Sequence, residues 1–303
     1  MRRHRHARVA LVGLPFFAER AARFLRAAGF AAEYVASPTF GPGALAGALA
    51  ITRADLVYAI GSSVRVRSPL DLAARAGKRV VMHWVGTDVQ AAAEAWHRRC
   101  VSERLLTGAT HLVDAPWLAG ELRLLGIHAE ERPLPVPIAI GEPVPLPETF
   151  CVLVYLPTQP HAAYDIAGTI EVIRALPHVR FVVVGGFRGE LPANAHALGF
   201  VDDIEPVYRD VSAVLRLTRH DGLSHTIVEA LSFGRYAVWS RPFPGVREAS
   251  GVEEALVHLR ELADCGAKGE LPPNEPGIAA AGRYQPERVL IETQDWLRQV
   301  LSR

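Results

Sequence analysis

Short apolar runs alternate along the chain with segments in which apolar residues recur at helical spacing. In the first half these runs lie at residues 8–12, 31–36, 55–60, 79–84 and 111–113. Each run is bounded by turn residues, and a helical pattern such as that of residues 18–28 separates it from the next. Strands that alternate with helices in this way predict a parallel sheet that helices cover on both faces.

The segment 133–147 interrupts this pattern because it contains six prolines. Proline fixes its own φ and lacks a backbone donor, so the segment is predicted to be a stiff, extended linker. After it the alternation starts again, with strands at 150–156, 179–184 and 236–240, a helix at 163–176, and a short helix leading into a strand over 208–217. The sequence therefore predicts an α/β protein of two doubly wound, Rossmann-like domains that face a cleft.

Chain length agrees with two domains, because 303 residues exceed the comfortable size of one hydrophobic core. The predicted domains span residues 1–140 and 141–285, and a helix over 286–303 closes the chain by packing on one or both of them. In sheets of this kind ligands bind at the carboxyl ends of the strands. The residues that follow each strand are therefore the first candidates for chemistry.

Composition excludes several classes of protein. The formal net charge of +1 gives no electrostatic case for a nucleic-acid partner. Cys100, Cys151 and Cys265 are far apart and show no ligand spacing, so neither a disulfide framework nor a metal site is predicted. No apolar run reaches the roughly 18 residues that a membrane span needs. We therefore expect a cytoplasmic protein.

The N-terminal segment allows three interpretations: a secretion signal, a peripheral membrane contact and a solvated tail. Basic residues at 1–8 followed by the apolar run 9–18 imitate a secretion signal, but Gly13 and Pro15 interrupt that run and no cleavage site follows. The same basic residues permit weak peripheral contact with the anionic inner face of a membrane. A solvated tail is the alternative.

A candidate anion site follows the strand that is predicted to end at residue 217. The segment reads His220-Asp221-Gly222-Leu223-Ser224-His225-Thr226 and continues to Glu229. A helix that starts near Ser224 would offer free backbone N–H groups to an anion without any basic side chain. An acid, a helix N-terminus and a second acid suit a sugar, a diphosphate and a ribose in that order. The alternative is an ordinary crossover with Ser224 as the helix cap and two solvated acids.

With this segment the sequence resembles the retaining glycosyltransferases of GT-B fold, most closely the family 4 group, or glycosyl transferases group 1. The acidic motif of that family is a pair of glutamates with seven residues between them, and Asp221 and Glu229 have that spacing, with aspartate in the first place. The resemblance continues through residues 230–238 and upstream at 182–186 and 198–201.

The resemblance implies roles for these residues. Asp221 would orient the donor sugar and Glu229 would hold the ribose. The diphosphate would lie against Gly222, Leu223, Ser224, His225 and Thr226. Gly185, Phe200 and Val201 would belong to the nucleotide end of the donor site.

In the same family a histidine of the first domain approaches the donor sugar and the acceptor. The similar segment here runs from His83 through Val85 to Thr87 and Asp88, with Val85 in the place of that histidine. Since alternate strand residues share a face, His83 could substitute from one pleat deeper, and a buried structural histidine is the alternative. Thr87 and Asp88 are candidates for the acceptor side or for a helix cap. Gly13 opens an apolar loop that suits a lipid-linked acceptor or a simple tight turn.

The loop at 156–165 departs from the family. Family members have an arginine and a lysine there that grip the diphosphate, whereas this loop offers only Thr158, His161 and Tyr164. Candidates to replace the basic pair from neighbouring strand ends are Arg188, Arg216 and Arg241. The departure bears on activity, because charge neutralisation at a leaving phosphate is a large part of such catalysis.

These patterns predict a retaining, metal-independent hexosyltransferase. Its co-substrate would be a nucleoside diphosphate sugar, with no cofactor, and its acceptor a glycan, a lipid carrier or a small molecule. The alternative is an inactive partner protein of the same fold that binds nucleotide or assists an active glycosyltransferase. An epimerase lacks a clear set of extra acid/base residues here. A nicotinamide dehydrogenase lacks the two further glycines that should follow Gly13.

Overall fold

A computed structural model describes residues 7–36, 42–159 and 161–302 of the chain. The chain divides into two units, one made of Met1–Pro137 with Pro286–Arg303 and the other of Ile138–Gln285. The first boundary therefore lies three residues before the predicted one at 140. Most of the basic N-terminal stretch, residues 1–6, lies outside the described residues, and so does its expected membrane contact.

The first unit contains a six-stranded sheet, with strand order β2-β1-β3-β4-β5-β6 and every pairing parallel. Its strands are β1 (Arg8–Gly13), β2 (Ala31–Tyr34), β3 (Leu56–Ile60), β4 (Arg79–Trp84), β5 (Thr110–Val113) and β6 (Ala129–Glu131). Its helices are α1 (Pro15–Ala27), α2 (Pro42–Arg53), α3 (Pro69–Arg75), α4 (Thr87–His97), α5 (Glu103–Gly108) and α6 (Pro116–Arg123). The register pairs Gly13 with Ile60 and Ile60 with His83, so β1, β3 and β4 end at nearly the same level.

The second unit repeats this plan with strand order β12-β11-β10-β7-β8-β9, again all parallel. Its strands are β7 (Cys151–Tyr155), β8 (Arg180–Val184), β9 (Ala195–Gly199), β10 (Ala213–Arg216), β11 (Tyr236–Trp239) and β12 (Val246–Glu248). Its helices are α7 (Ile166–Ala175), α8 (Glu205–Asp210), α9 (His225–Ser232), α10 (Val252–Ala267) and α11 (Glu275–Ala281). The prediction of two doubly wound α/β halves is thus confirmed.

The last helix, α12 (Pro286–Ser302), returns to the first unit. Trp296 and Leu297 are buried in the same core as Leu11, Tyr58 and Leu112. Polar contacts hold its middle and its C-terminal end, since Gln294 Nε2 donates to the Ala28 carbonyl (2.8 Å) and Arg79 Nη1 donates to the Leu301 carbonyl (2.7 Å). The first unit is therefore built from both ends of the chain.

Three strands were not predicted from the sequence, namely β6, β9 and β12. Each of them lies at an edge of its sheet. An edge strand has one neighbour and little buried surface, so it needs no continuous apolar run. The burial of β9 illustrates this, because its three central residues are exposed. Hydrophobic pattern therefore located the central strands and left these edges unmarked.

The proline-rich linker has no helix or strand over residues 133–150, but its second part is fastened to the second unit. The guanidinium of the buried Arg235 donates to the carbonyls of Val144 and Pro145, with distances of 3.1 Å. Gly141 N donates to Ser232 Oγ (3.0 Å). A Cβ at Gly141 would lie 2.1 Å from the Phe233 ring, so only glycine lets the linker pass there.

Within the ranges that the structure describes, no helix is long and apolar enough to cross a membrane.

Candidate functional site

The candidate site of the second unit centres on the start of α9. Ser224 is the N-cap of this helix, and its Oγ accepts a hydrogen bond from Ile227 N (3.4 Å). Gly222, Leu223 and Ser224 are buried, whereas His225 and Thr226 at the first turn are partly exposed. The helix begins within one residue of the predicted position, at the carboxyl end of β10 and β11, where ligands bind in parallel sheets.

Asp221 lies in the loop before this helix and forms a bidentate ion pair with Arg216, the last residue of β10. Arg216 Nε donates to Oδ2 (2.6 Å) and Nη2 donates to Oδ1 (2.9 Å). Trp239 Nε1, at the end of β11, also donates to Oδ2 (3.1 Å). The two charged side chains are only 12% and 13% exposed. The Asp221 carboxylate thus accepts hydrogen bonds from β10 at both of its oxygens and from β11 at Oδ2.

Glu229, on the second turn of α9, has a tyrosine as its partner. Tyr208 of α8 donates a 2.7 Å hydrogen bond to Glu229 Oε2, and its ring stacks on Phe233 with 5.6 Å between centroids. Burial and then the Glu229 carboxylate raise the pKa of Tyr208 well above its ordinary value, so the phenol keeps its proton and donates. Glu229 Oε1 accepts a longer bond from Ala139 N (3.5 Å). The carboxylate is therefore held in one orientation at the partly exposed surface.

An aromatic group covers the loop that lacks the basic pair. The Tyr164 ring lies 5.0 Å from the Arg216 guanidinium carbon and 5.8 Å from the Tyr155 ring. His161 approaches Tyr164 edge-on at 6.1 Å. Of the three arginines suggested by the sequence, Arg216 is the one built into this cluster. Arg188 is exposed, and Arg241 Nη2 donates to the Arg219 carbonyl (3.3 Å).

The residues expected at the nucleotide end lie at the carboxyl ends of β8 and β9. Gly185 has a positive φ of 100°, and a Cβ there would lie 2.3 Å from the Leu156 carbonyl oxygen, so β8 can meet this loop only at a glycine. The Phe200 ring lies beside Gly186, with its Cε2 only 2.8 Å from where a Cβ would be. Phe200 is 77% exposed, and Val201 next to it is partly buried. An exposed ring held against a glycine is a suitable stacking surface for a base.

His83 of the first unit is buried, with 1% of its surface exposed. Its Nε2 lies 3.2 Å from the Arg132 carbonyl, which can only accept, so Nε2 carries the proton. Nδ1 then accepts from the Tyr58 hydroxyl (2.8 Å). Burial lowers the pKa of His83 to about 3, so the ring is neutral. The geometry favours the alternative of a structural histidine over a sugar contact.

The other first-unit candidates lie at strand ends. Asp88 lies in the first turn of α4, whose N-cap is Gly86, and it is buried and accepts from the backbone N–H groups of Val85 (3.1 Å) and Val89 (3.1 Å). Burial, partly opposed by these bonds, raises the pKa of Asp88 to about 7. Thr87 is exposed at the first position of α4. Gly13 has a φ of 108°, and a Cβ there would lie 1.9 Å from the Ile60 carbonyl oxygen.

The sequence does not mark two residues that hold the acids of this site. Tyr208 lies at the beginning of the segment predicted over 208–217, and Trp239 lies within the strand predicted over 236–240. Their positions relative to Glu229 and Asp221 depend on which strands are neighbours, and no local pattern carries that information. Among the described residues, no group of three or more His, Cys, Asp or Glu side chains is arranged to hold a metal ion.

Residues 161–268 match the model of the family described as glycosyl transferases group 1. This range contains α9, both acids and the whole Tyr164–Arg216–Asp221 cluster. A comparison with curated protein sequences finds no match.

Solved structures share the fold of the chain almost from end to end. HepE of Anabaena, crystallised in complex with UDP-glucose, is 13% identical and has a TM-score of 0.71, covering 97% of this chain and 100% of HepE. Sucrose-phosphate synthase of Thermosynechococcus elongatus is 11% identical with a TM-score of 0.69, covering 98% of this chain and 99% of the synthase. The lipopolysaccharide outer core galactosyltransferase WaaB, in its apo form, is 11% identical with a TM-score of 0.62, covering 96% and 99%.

The expected resemblance is thereby confirmed for the GT-B fold and, over residues 161–268, for glycosyl transferases group 1. The chain has the two-domain α/β fold of the GT-B glycosyltransferases, and its residues 161–268 match the glycosyl transferases group 1 family.

Proposed function

We propose that the protein transfers a hexose unit from a nucleoside diphosphate sugar to an acceptor with retention of configuration. The observation that carries this proposal is the start of α9 between two oriented carboxylates, Asp221 on one side and Glu229 on the other. Free backbone N–H groups at a helix N-terminus bind phosphate, and the flanking acids bind hydroxyl groups. The family match of this segment supports the same substrate class.

In this proposal Glu229 holds the ribose. Tyr208 donates to Oε2 and fixes the plane of the carboxylate, whose oxygens are acceptors of the kind that the two hydroxyls of a ribose need. The N–H groups of Ser224, His225 and Thr226 receive the diphosphate. The base lies against Phe200, with Gly185 allowing the close approach of β8 to the loop beside it.

Asp221 acts at the sugar end of the donor. Because both its oxygens accept hydrogen bonds from protein groups, we propose that it works together with Arg216 and Trp239 and not as an isolated carboxylate. The acceptor, a glycan or a lipid-linked molecule, would meet the first unit at the Gly13 loop and Thr87. Leu14 and Phe16 beside Gly13 are exposed and apolar, which suits an acceptor with an apolar part.

Neither a metal nor a cofactor enters this reaction. The groups that would stabilise the leaving diphosphate in this proposal are the backbone N–H groups at the start of α9, which are fixed hydrogen-bond donors. Donor turnover in the presence of a chelator should therefore equal turnover in its absence. A chelator-dependent loss that added Mg²⁺ restores would contradict metal independence.

A second candidate function, an inactive nucleotide-binding partner, is favoured by two observations. The loop 156–165 carries no arginine or lysine, and His83 is enclosed by Tyr58 and Arg132. The two candidates differ in turnover. Purified protein incubated with UDP-glucose, GDP-mannose or ADP-glucose should release the diphosphate slowly by hydrolysis if it is an enzyme. Binding without any release would support the inactive partner.

Binding itself is tested by calorimetry of the wild-type protein with UDP, GDP and ADP. We expect one of them to bind, and the corresponding nucleotide sugar to compete with it. No binding by any of the three would contradict both candidate functions.

A further inference from the structure

The loop at 156–165 lies beside a cation that comes from a different strand. In the register of the second sheet Leu215 pairs with Val154, so Arg216 follows next to Tyr155, the last residue before this loop. The guanidinium carbon of Arg216 lies over the Tyr164 ring at 5.0 Å. Arg216 thus brings a positive charge to the edge of the loop that carries none.

The hydrogen bonds of Arg216 use one side of its guanidinium. Nε and Nη2 donate to Asp221, and Nη2 also donates to the Tyr164 hydroxyl at 3.4 Å. Within the residues that the structure describes, Nη1 makes no hydrogen bond. The Arg216 side chain keeps 12% of its surface exposed. Two N–H groups of a fixed, charged side chain are therefore available to an anion.

Asp221 orients this cation. Burial lowers the pKa of Arg216, but the Asp221 carboxylate and Tyr164 together more than offset it, so the net pKa is raised. The same carboxylate lies three residues before the N-cap Ser224, and at most about 11 Å of chain separates the two. The guanidinium and the N-terminus of α9 are thereby tied to one short loop.

From this geometry we infer that Arg216 binds the diphosphate of the donor through Nη1, in place of the basic pair that the loop 156–165 lacks, while Asp221 and Tyr164 hold it in position. The inference rests on the proposed function, since it assumes a nucleoside diphosphate at the start of α9. It assigns the positive charge that neutralises the leaving diphosphate to a residue outside the loop in which family members carry that charge.

The pairing with Asp221 does not abolish the attraction for phosphate. The Asp221 charge is shared between Arg216 and Trp239 Nε1, and the bidentate geometry leaves Nη1 pointing away from the carboxylate. Arginine suits this task better than lysine, because its planar fork can bind a carboxylate along one edge and a phosphate oxygen with the remaining nitrogen.

The test compares a diphosphate with its nucleoside, so that phosphate contacts are separated from contacts to the base and ribose. Calorimetry with UDP and with uridine, or with the diphosphate that the wild type prefers and its nucleoside, is carried out on Arg216→Gln. Arg219→Gln is the matched control, because Arg219 lies in the same loop region with a side chain that is 68% exposed. Thermal unfolding of each variant establishes that it is folded.

We expect R216Q to weaken UDP binding about tenfold or more and to leave uridine binding within about twofold, while R219Q changes neither. A folded R216Q that binds UDP like the wild type overturns the inference. Equal weakening of UDP and uridine also overturns it, because it indicates a purely structural role for the Arg216–Asp221 pair.

Arg216→Lys decides the case in which R216Q does not fold. Lysine keeps the charge but cannot bind Asp221 and a phosphate through separate nitrogens, so the ratio of UDP to uridine affinity should fall several-fold. An unchanged ratio overturns the inference. Failure of the wild type to bind any nucleoside diphosphate overturns the proposed function itself and the inference with it.

Discussion

Tyr208 donates its hydroxyl proton to Glu229 Oε2 at 2.7 Å while its ring stacks on Phe233. The acid that the sequence marks as the ribose partner is therefore oriented by a residue from a different helix. Tyr208 is itself fully buried. The carboxylate of Glu229 is thus held by packing as well as by its place on α9.

This relationship predicts graded losses of nucleotide affinity. Glu229→Ala should weaken binding of the nucleoside and of its diphosphate alike by about 10- to 100-fold, because a hydrogen bond to a charged group is lost. Tyr208→Phe removes only the orienting bond and should weaken both several-fold. Calorimetry measures each change. Unchanged affinity of E229A for uridine would disprove the ribose assignment.

We expect the Phe200 ring to stack on the base of the bound nucleotide and to stabilise its binding. Phe200→Ala should weaken nucleoside binding by about 1–3 kcal/mol, the range for aromatic stacking on a base. Leu198→Ala is a suitable control, because Leu198 is an exposed apolar residue of β9, two positions before Phe200. If the two variants bind uridine equally well, the base does not lie on Phe200.

His83 makes the stability of the first unit sensitive to acid. The unfolded chain binds a proton at this residue below pH 6.5, whereas the folded chain does so only near pH 3. The stability due to the neutral ring is therefore complete above pH 6.5 and is lost as the pH falls towards 3, at up to about 1.4 kcal/mol per pH unit. The pKa of His111 is lowered by burial as well and acts in the same direction.

Denaturant unfolding at a series of pH values measures this slope. His83→Gln keeps a donor and an acceptor but does not titrate. The slope of the free energy of unfolding between pH 6 and 4 should therefore fall by about 1.4 kcal/mol per pH unit, the contribution of one proton. Replacement of the exposed His128 by Gln is the control and should leave the slope nearly unchanged. A wild-type slope in H83Q would mean that the imidazole is not the group responsible.

Arg235 should be essential to the stability of the second unit. It is fully buried and its guanidinium satisfies the carbonyls of Val144 and Pro145. Arg235→Met would remove the donors that the carbonyls of Val144 and Pro145 have in this side chain and should lower the free energy of unfolding by about 1–3 kcal/mol. Arg174→Gln, at an exposed position of α7, should change it by less than about 0.5 kcal/mol. Denaturant midpoints compare the two variants directly.

The sequence predicted the central strands well because each is buried on both faces and appears as a continuous apolar run. The edge strands β6, β9 and β12 escaped because exposed backbone needs no such run. For the site, the spacing of Asp221 and Glu229 and the Ser224 cap were visible in the sequence, since they lie within one loop and one helix.

The partners of those acids were not visible. Trp239 and Arg216 meet Asp221 because β10 and β11 are neighbours in the sheet, and Tyr208 meets Glu229 because α8 packs beside α9. His83 shows the opposite limit. The sequence left its role open between a sugar contact and a buried structural histidine, and the side chain direction along β4 turns it towards Tyr58 and the interior.

The return of α12 to the first unit has a consequence for the order in which the protein is made. Trp296 and Leu297 complete a core whose other members, such as Leu11 and Tyr58, leave the ribosome almost a whole chain length earlier. The second unit, by contrast, is contiguous in sequence from Ile138 to Gln285. During synthesis the unit that emerges first therefore waits for the final helix, and the unit that emerges second can be the first to finish folding.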